Sequence, residues 1–303
     1  MTVPASSESP RKQLWAGVYK QLLQHAVPDS RFNYDFLKFT PDFSGSADAV
    51  ARVAALPCYK DAHTILVTSD SSLEGLRYRA LKDGKKVLVG TYRLRRGFVL
   101  LDPKSIGEGR LQFAACLDGM EKPGIGRRME LVQLQEQGIK ISMCVLGGLV
   151  FNEQGVVVWE GASLFEVQWA LLQDLKVLDT AAPVVAVAHD CQVVDEAQHG
   201  VQAVKPDKNG EVQCDFVVTP HRTMEVQGAV KPSGGVDFKK VDPEALNNIP
   251  PLQELKGIRM MEQIMSSSGF RIKKQDEEER KSPSAEEQMG IDIVERLMKG
   301  LRS

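Results

Sequence analysis

The sequence predicts an α/β fold with a mainly parallel β-sheet, followed by a charged linker and a C-terminal helix. Short runs rich in β-branched residues alternate with segments of helical periodicity along most of the chain. In these runs the odd and the even positions are both apolar, so both faces of the strand are apolar. This is typical of strands buried on both faces. The alternation therefore indicates a sheet that is covered by helices on two sides.

The first predicted element is a helix over residues 11–25. Leu14, Val18, Leu22 and Leu23 recur at helical spacing, so we place them on one face. We therefore expect this N-terminal helix to pack against the rest of the domain through that face.

An irregular segment over residues 30–46 follows and carries five aromatic residues. We interpret it as a loop that its aromatic side chains pack across the body of the protein. Ser46 is then expected to cap a helix over residues 47–56, which ends at Pro57.

Strands and helices alternate regularly after this loop. The predicted strands are Thr64–Thr68, Lys86–Val89, Ile139–Val145, Val156–Trp159, Val184–Ala188 and Phe216–Thr219. The predicted helices between them are Leu73–Lys82, Met129–Gln137 and Leu164–Leu175. We place one domain over residues 11–255.

The composition changes after Leu255, and we assign residues 256–303 to a tail. Residues 271–281 contain nine charged residues in eleven, which indicates a solvated linker. A last amphipathic helix is predicted over residues 286–301. This helix either docks on its own domain or recruits a protein partner, and the sequence leaves both alternatives open.

Composition excludes several classes of protein. The 303-residue chain is 43% hydrophobic and 26% charged with a net charge of -2, which is typical of a globular domain without a basic surface for nucleic acid. Its longest apolar stretches, over residues 141–151 and 181–188, are much shorter than the roughly 20 residues that cross a bilayer. Neither nucleic acid nor a membrane is an expected partner.

The cysteine pattern and the N-terminal residues predict the compartment. The five cysteines are scattered without CxxC spacing, so neither a disulfide framework nor a zinc site is expected. Residues 1–11 lack the apolar core of a signal peptide. We expect a reducing compartment and, by elimination, the cytoplasm.

Polar residues follow the predicted strands, at the positions where open α/β sheets bind ligands. They are Thr68, Ser69, Asp70, Thr91, Tyr92, Arg93, Arg95, Arg96, Gly147, Gly148, His189, Asp190, Thr219, His221 and Arg222. Arginines, histidines and glycine N–H groups suit a phosphate or a carboxylate. The alternative is that these strand ends are polar only because they meet water.

The sequence contains no GxSxG, HExxH or Walker A motif, so a serine hydrolase, a zinc protease and a P-loop enzyme are excluded. His189 and Asp190 are neighbours whose side chains point to opposite sides of a strand end. We therefore favour a structural role for His189 over a catalytic pair with Asp190.

Four segments resemble a known family. They are SRFNYDFLKFTPDFSGS, SLEGLRYRALKDGKKVLVGTYRLRRGFVLLDP, PVVAVAHDCQVVD and DFVVTPHR. Over about residues 11–255 the chain resembles the 5-formyltetrahydrofolate cyclo-ligase superfamily, and more closely its branch of methenyltetrahydrofolate synthetase domain-containing proteins. The resemblance implies a three-layer fold like that of sugar-phosphate isomerases and CoA transferases.

The resemblance also implies an activity in one-carbon metabolism, with ATP and magnesium as cofactors and a folate-like molecule as the ligand. In the family, ATP phosphorylates the formyl oxygen of 5-formyltetrahydrofolate, N10 attacks the activated carbon, and phosphate leaves to give 5,10-methenyltetrahydrofolate. Positioning and charge neutralisation carry such phosphoryl transfer. Basic residues and a glycine loop are therefore essential parts of the family's site.

This sequence departs from the family in the glycine loop. The family has GKGxGYYD or GKGxGYFD after a strand, whereas this chain has WEGASLFE. Trp159 and Ser163 replace glycines, Leu164 replaces a tyrosine, and Glu166 replaces the aspartate. Glu160 replaces the lysine, which removes an attraction for phosphate and adds a repulsion.

The resemblance assigns roles to individual residues. Arg95 and Glu166 are the implied catalytic residues, with Glu166 also the metal ligand. The implied nucleotide-binding residues are Arg11, Gly161, Ser163 and Phe165. The implied ligand-binding residues are Asp70, Glu74, Tyr92, His189, Asp190, Thr219 and Arg222. The family's phosphate-contacting basic pair falls on Ser7 and Arg11, so Arg11 (or Lys12) alone remains.

Two classes of function stay open. The first is an ATP-dependent cyclo-ligase, or a relative acting on another heterocycle. The second is a non-catalytic module that keeps a folate or nucleotide pocket or works through partners. The degenerate loop argues against catalysis and so favours the second class. RNA binding is not expected, because the chain has no RNP-like aromatic motif.

Overall fold

The computed structural model describes residues 9–29, 35–179, 181–206 and 210–267. The chain divides into two compact units, Met1–Ile258 and Arg259–Ser303. Ser7, the predicted linker over residues 271–281 and the predicted helix over residues 286–301 lie outside the described residues.

Each predicted strand, and each predicted helix within the described residues, has a counterpart in the structure. The helices are α1 (Pro10–His25), α2 (Ser46–Ala55), α3 (Pro57–Asp61), α4 (Glu74–Lys82), α5 (Pro103–Ile106), α6 (Leu111–Ala115), α7 (Leu117–Met120), α8 (Leu131–Glu136), α9 (Phe165–Asp174), α10 (Pro243–Asn248) and α11 (Pro250–Ser267). The strands are β1 (Thr64–Val67), β2 (Lys86–Gly90), β3 (Phe98–Leu101), β4 (Arg127–Met129), β5 (Met143–Leu146), β6 (Val150–Asn152), β7 (Val157–Trp159), β8 (Val184–Val187), β9 (Val193–Val194), β10 (Phe216–Val218) and β11 (Thr223–Glu225).

The main sheet has the strand order β11-β10-β8-β5-β1-β2-β3-β4. Its five central strands, from β10 to β2, are parallel, whereas β11, β3 and β4 pair antiparallel at the edges. The structure therefore confirms the predicted α/β fold with a mainly parallel sheet.

Alternate strand residues build two separate cores, one on each face of the sheet. Leu66 and Leu146 belong to the core formed with α8 and α9. Ile65 and Val145 belong to the core formed with α2, α4 and α6. All four side chains are completely buried. Helices thus cover both faces, which is the three-layer arrangement that the resemblance implied.

A second sheet of β7, β6 and β9 was not predicted. The run Val156–Trp159 corresponds to β7, which pairs antiparallel with β6 and does not join the main sheet. Val158 packs in a third core with Leu14 and Val18 of α1. Contact with α1 therefore accounts for Val158 and Trp159 of β7, whereas Val157 packs against the core formed with α8 and α9.

Two local predictions are wrong. Leu23 is 40% exposed, because the buried face of α1 is narrower than predicted. Gly45, and not Ser46, precedes the first residue of α2, and it has a φ of 85°. Glycine adopts this conformation without steric cost. In the described part of the aromatic loop, the predicted packing is present, with Phe36, Phe39 and Phe43 buried.

Helix α11 continues through the boundary that we predicted at residue 255, and the first compact unit ends at Ile258. Among the described residues, no helix combines the length and the hydropathy that a membrane crossing requires.

Candidate functional site

The parallel strands bring the predicted strand-end residues to one edge of the main sheet. Strands β10, β8, β5, β1 and β2 run in the same direction, so the segments that follow them meet at the carboxyl edge. These segments begin at Thr219, Ala188, Gly147, Thr68 and Thr91. The sequence therefore predicted correctly which segments share this edge.

Asp70 joins two of these strand ends. Its carboxylate accepts hydrogen bonds from the Thr68 hydroxyl and, at 3.2 Å, from the Gly147 N–H. A Cβ at Gly147 would lie 2.9 Å from the Asp70 Cβ, so this close approach requires glycine. Burial raises the pKa of Asp70. The buried Arg77 donates to the carbonyl oxygens of Thr68 and Asp70 at 2.9 and 3.0 Å and fixes this turn.

Asp190 and Thr219 form a second group together with His221. Thr219 Oγ1 donates to Asp190 Oδ1 at 2.6 Å, and His221 Nδ1 lies 2.6 Å from Asp190 Oδ2. Burial opposes ionisation, but these two hydrogen bonds hold the pKa of Asp190 below its ordinary value. Arg222 pairs instead with Glu153 at 3.0 Å. Our sequence analysis noted His221 at a strand end but did not pair it with Asp190.

His189 makes packing contacts and is not paired with Asp190. Its ring stacks on the ring of His25 with the centroids 4.0 Å apart, and Phe43 meets it edge-on. Its Nδ1 accepts a hydrogen bond from the Cys191 N–H at 3.2 Å. Burial, followed by the effect of His25, lowers the pKa of His189. These contacts fit the structural role that the sequence favoured.

The arginine-rich turn after β2 has a strained backbone. Arg93 and Leu94 have φ values of 51° and 54°, a region that costs energy for residues other than glycine. The Arg93 guanidinium lies 5.6 Å from the centre of the Tyr92 ring. Arg95 is exposed, and no ion pair engages it within the described part of the chain. Arg95 is therefore a cation that an anionic ligand can reach.

The loop between β7 and α9 is closed by its own glutamate. The Glu160 carboxylate accepts the Phe165 N–H at the start of α9 and, at 3.0 Å, the Ser163 hydroxyl. A carboxylate here satisfies a donor of the first helical turn and interacts favourably with the helix dipole. Desolvation, together with the charges of Glu166 and Asp70, raises the pKa of Glu160 to about 7. The loop thus carries an anion of its own at the N-terminus of α9.

Helix α1 contacts β7 and the segment before β10 through two pairs of side chains. The indole rings of Trp15 and Trp159 stack with their centroids 6.3 Å apart and 14° between their planes. The Arg11 guanidinium donates to both carboxylate oxygens of Glu211 at 2.7 and 2.8 Å, and to carbonyl oxygens of β7. Arg11 is therefore engaged by the protein itself.

The other predicted residues line three different cavities. Ser163, Tyr92 and Asp70 line a narrow cavity of about 10 Å³. Glu166 lines a mainly apolar cavity of about 330 Å³ between α9 and α10. Glu74 lines a cavity of about 660 Å³ beside α4. The structure brings together Ser163, Tyr92 and Asp70, and it places Glu74 and Glu166 elsewhere.

Comparison with known protein families decides the assignment. A model described as the 5-formyltetrahydrofolate cyclo-ligase family matches residues 12–199, which is more than half of the chain. The chain belongs to this family. The resemblance inferred from the sequence is confirmed.

Relatives of this cyclo-ligase family member include methenyltetrahydrofolate synthase domain-containing proteins. The mouse protein is 26% identical over 249 residues, covering 79% of this chain and 64% of its own. The human protein is 24% identical over 257 residues, covering 84% of this chain and 62% of its own. The chain thus spans less than two thirds of the length of these relatives. A solved 5,10-methenyltetrahydrofolate synthetase from Aquifex aeolicus gives a TM-score of 0.42 at 16% identity, covering 73% of this chain and 95% of that one.

The contacts around the segment that corresponds to the family's glycine loop differ in whether the sequence could predict them. Glu160 lies five residues before Phe165, so this contact is local in sequence, although Glu160 does not occupy the N-cap position that a capping pattern would mark. Arg11 and Glu211 are 200 residues apart, and no local pattern joins them. The stacking of Trp15 on Trp159 is equally long-range. These contacts required the tertiary structure.

Proposed function

We propose that this protein is a small-molecule-binding member of the cyclo-ligase family that does not catalyse the ATP-dependent ring closure. One observation carries the proposal, namely the Glu160 carboxylate at the N-terminus of α9. The proposed ligand is folate-like, since that is the ligand class of the family. Arg95 at the carboxyl edge is exposed and suits a carboxylate of such a ligand.

Glu160 and a nucleotide phosphate compete for the same hydrogen-bond donors. A phosphate at this loop would use the N–H groups that begin α9 and the Ser163 hydroxyl, and Glu160 accepts from both kinds of donor. The phosphate would also meet the negative charge of Glu160. Because the pKa of Glu160 is about 7, this repulsion acts on the ionised form and increases as the pH rises above 7. The loop does not fit a triphosphate.

Two neighbouring contacts support this proposal. Trp159 stands where the family has a glycine, and its indole stacks on Trp15, so a bulky ring replaces the backbone approach that a glycine allows. The charge of Arg11 is neutralised by Glu211. Within the described residues, no group of three or more His, Cys, Asp or Glu side chains is arranged to hold a metal ion.

The first experiment separates this proposal from an active cyclo-ligase, which family membership supports. The purified protein is mixed with 5-formyltetrahydrofolate, ATP and magnesium, and methenyltetrahydrofolate is followed by its absorbance. We expect no rate above that of the mixture without protein. Turnover of roughly 1 per second, usual for enzymes, would refute the proposal. Calorimetry with 5-formyltetrahydrofolate tests ligand binding separately. Absence of binding would refute the folate-like ligand and would leave the proposed loss of ring closure unaffected.

Loop variants test the cause of the inactivity. In the first variant, residues 159–166 are replaced by GKGAGYFD. In the second, Glu211→Gln is added to release Arg11, and Glu211→Gln alone is the matched control. We expect ATP affinity to appear in the first variant and to increase in the second. ATP binding by the natural protein as tight as by either variant would contradict the argument.

A further inference from the structure

We propose that the cavity between α9 and α10 binds a small uncharged apolar ring compound. Its volume is about 330 Å³, which lies within the roughly 300–1,000 Å³ of known small-molecule pockets. Its wall comes mainly from α9, from residues 232–242, from α10 and from the start of α11, all within the first compact unit. The inference goes beyond the proposed function, because it concerns a second site and does not depend on whether ring closure is lost.

Four apolar side chains present surface to this cavity. Val167 and Ala170 lie on α9, Val241 precedes α10, and Ala245 lies on α10. All four pack at the border of the core formed with α8 and α9, and all four are only partly buried. A ligand that covers their remaining surface removes it from water, which favours binding.

Hydrogen bonds within the protein fix the wall opposite α9. The Trp169 indole N–H donates to the Pro232 carbonyl oxygen at 3.0 Å, and the Val236 N–H donates to the Asp174 carboxylate at 2.6 Å. A Cβ at Gly235 would lie 2.3 Å from that carboxylate, so this close approach requires glycine. The cavity is therefore preformed, and these two N–H groups are already used by the protein.

The charged side chains of the wall are directed mainly to solvent. Asp237, Lys240 and Asp242 are exposed, whereas Glu166 is partly buried. Asp242 accepts the Glu244 N–H at 2.9 Å, and Lys240 Nζ lies 3.9 Å from an Asp237 carboxylate oxygen. A charged or strongly polar group placed among the apolar side chains would lose its water without gaining a partner, which costs free energy. The cavity thus selects an uncharged apolar body.

A matched pair of bicyclic probes tests the ligand class on the full-length protein. Indole and purine have nearly the same fused-ring shape, but purine carries additional ring nitrogens that need hydrogen-bond donors. Calorimetry and the shift in unfolding temperature report binding. We expect indole to bind about tenfold or more tightly than purine. Equal affinity of the two probes, or failure of indole to bind, would overturn the proposal. Tighter binding of the charged analogues tryptamine or indole-3-acetate than of indole would also overturn it.

Variants that fill the cavity locate the binding site. Ala170→Leu and Ala245→Leu enlarge a lining side chain on α9 and on α10, and each is expected to weaken indole binding about tenfold without lowering the unfolding temperature. The matched control is Ala51→Leu, the same change at an exposed position of α2 that does not line the cavity. Val167→Phe replaces either variant if it fails to fold. Affinity unchanged in the filled variants would overturn the proposal. Neither ring closure nor folate binding is measured here, so this test and those of the proposed function fail separately.

Discussion

Replacing Glu160 by glutamine tests whether the negative charge at the N-terminus of α9 destabilises the fold. The pKa of Glu160 is about 7 in the folded protein, against an ordinary value of 4.5. One pKa step corresponds to about 1.4 kcal/mol, so ionising a fully desolvated group would cost about 3 kcal/mol of folding free energy. Because Glu160 keeps some contact with solvent, we expect screening to reduce this to about 1–2 kcal/mol.

The sign of the pH dependence follows from the direction of this shift. The folded protein holds the proton of Glu160 more tightly than the unfolded chain does, so the protonated group favours folding. This contribution is complete below pH 4.5 and is lost as the pH rises towards about 7. The Glu160→Gln variant should therefore match the natural protein at low pH and be more stable at about pH 8.

Urea denaturation followed by tryptophan fluorescence, from about pH 4 to pH 8, measures the difference. The matched control is Glu136→Gln, which removes an exposed charge and should run parallel to the natural protein. A Glu160→Gln variant that is less stable than the natural protein at pH 8 would refute the reasoning. In that case the helix would stabilise the charge by more than burial penalises it.

Three further outcomes follow from the contacts at the carboxyl edge. Arg77→Met should lose about 3–5 kcal/mol of unfolding free energy in urea, because Arg77 is completely buried and three carbonyl oxygens lose its hydrogen bonds. Arg11→Met should cost about 1 kcal/mol through its partly exposed ion pair, and calorimetry should show unchanged affinity for 5-formyltetrahydrofolate. A lower affinity would place Arg11 in the ligand site. The pKa of His189 is lowered on folding, so stability should fall as the pH drops below 6.5. Chemical denaturation at a series of pH values should show that the unfolding free energy of His189→Asn falls less steeply below pH 6.5 than that of the natural protein. An equally steep fall would contradict this assignment.

The sequence predicted the strands at the centre of the main sheet, and it did not predict the strands at its edges. Strands β1 and β8 are buried at every position, so an apolar run marks them. β4 and β11 expose most of their residues and carry no such run. β7 was found as a strand but assigned to the wrong sheet. Val158 packs against α1 and Val157 against the core formed with α8 and α9, and an apolar run alone does not specify such partners.

The candidate site was predictable only as far as the sheet direction determines it. Parallel strands place Thr68, Gly147 and Thr219 at one edge, and this follows from the order of strands and helices. The partners of individual side chains do not follow, because they depend on which helix packs where. Arg11 illustrates this limit: its partner Glu211 lies 200 residues away in the sequence, and no local pattern joins the two.

A nucleotide loop that has only lost its phosphate-binding residues differs from one whose hydrogen-bond donors are occupied by other side chains. In this protein the donors are occupied. Loss of a lysine and two glycines alone would leave an open site that binds phosphate weakly. Here Glu160 accepts the hydrogen bonds that a phosphate would accept. Trp159 packs on Trp15, and Glu211 neutralises Arg11.

These replacements support one another. Any phosphate that entered would have to displace a carboxylate from helix donors before gaining a contact. On our proposal, the nucleotide end of the family scaffold has become a packed contact between α1 and β7 beside a capped α9.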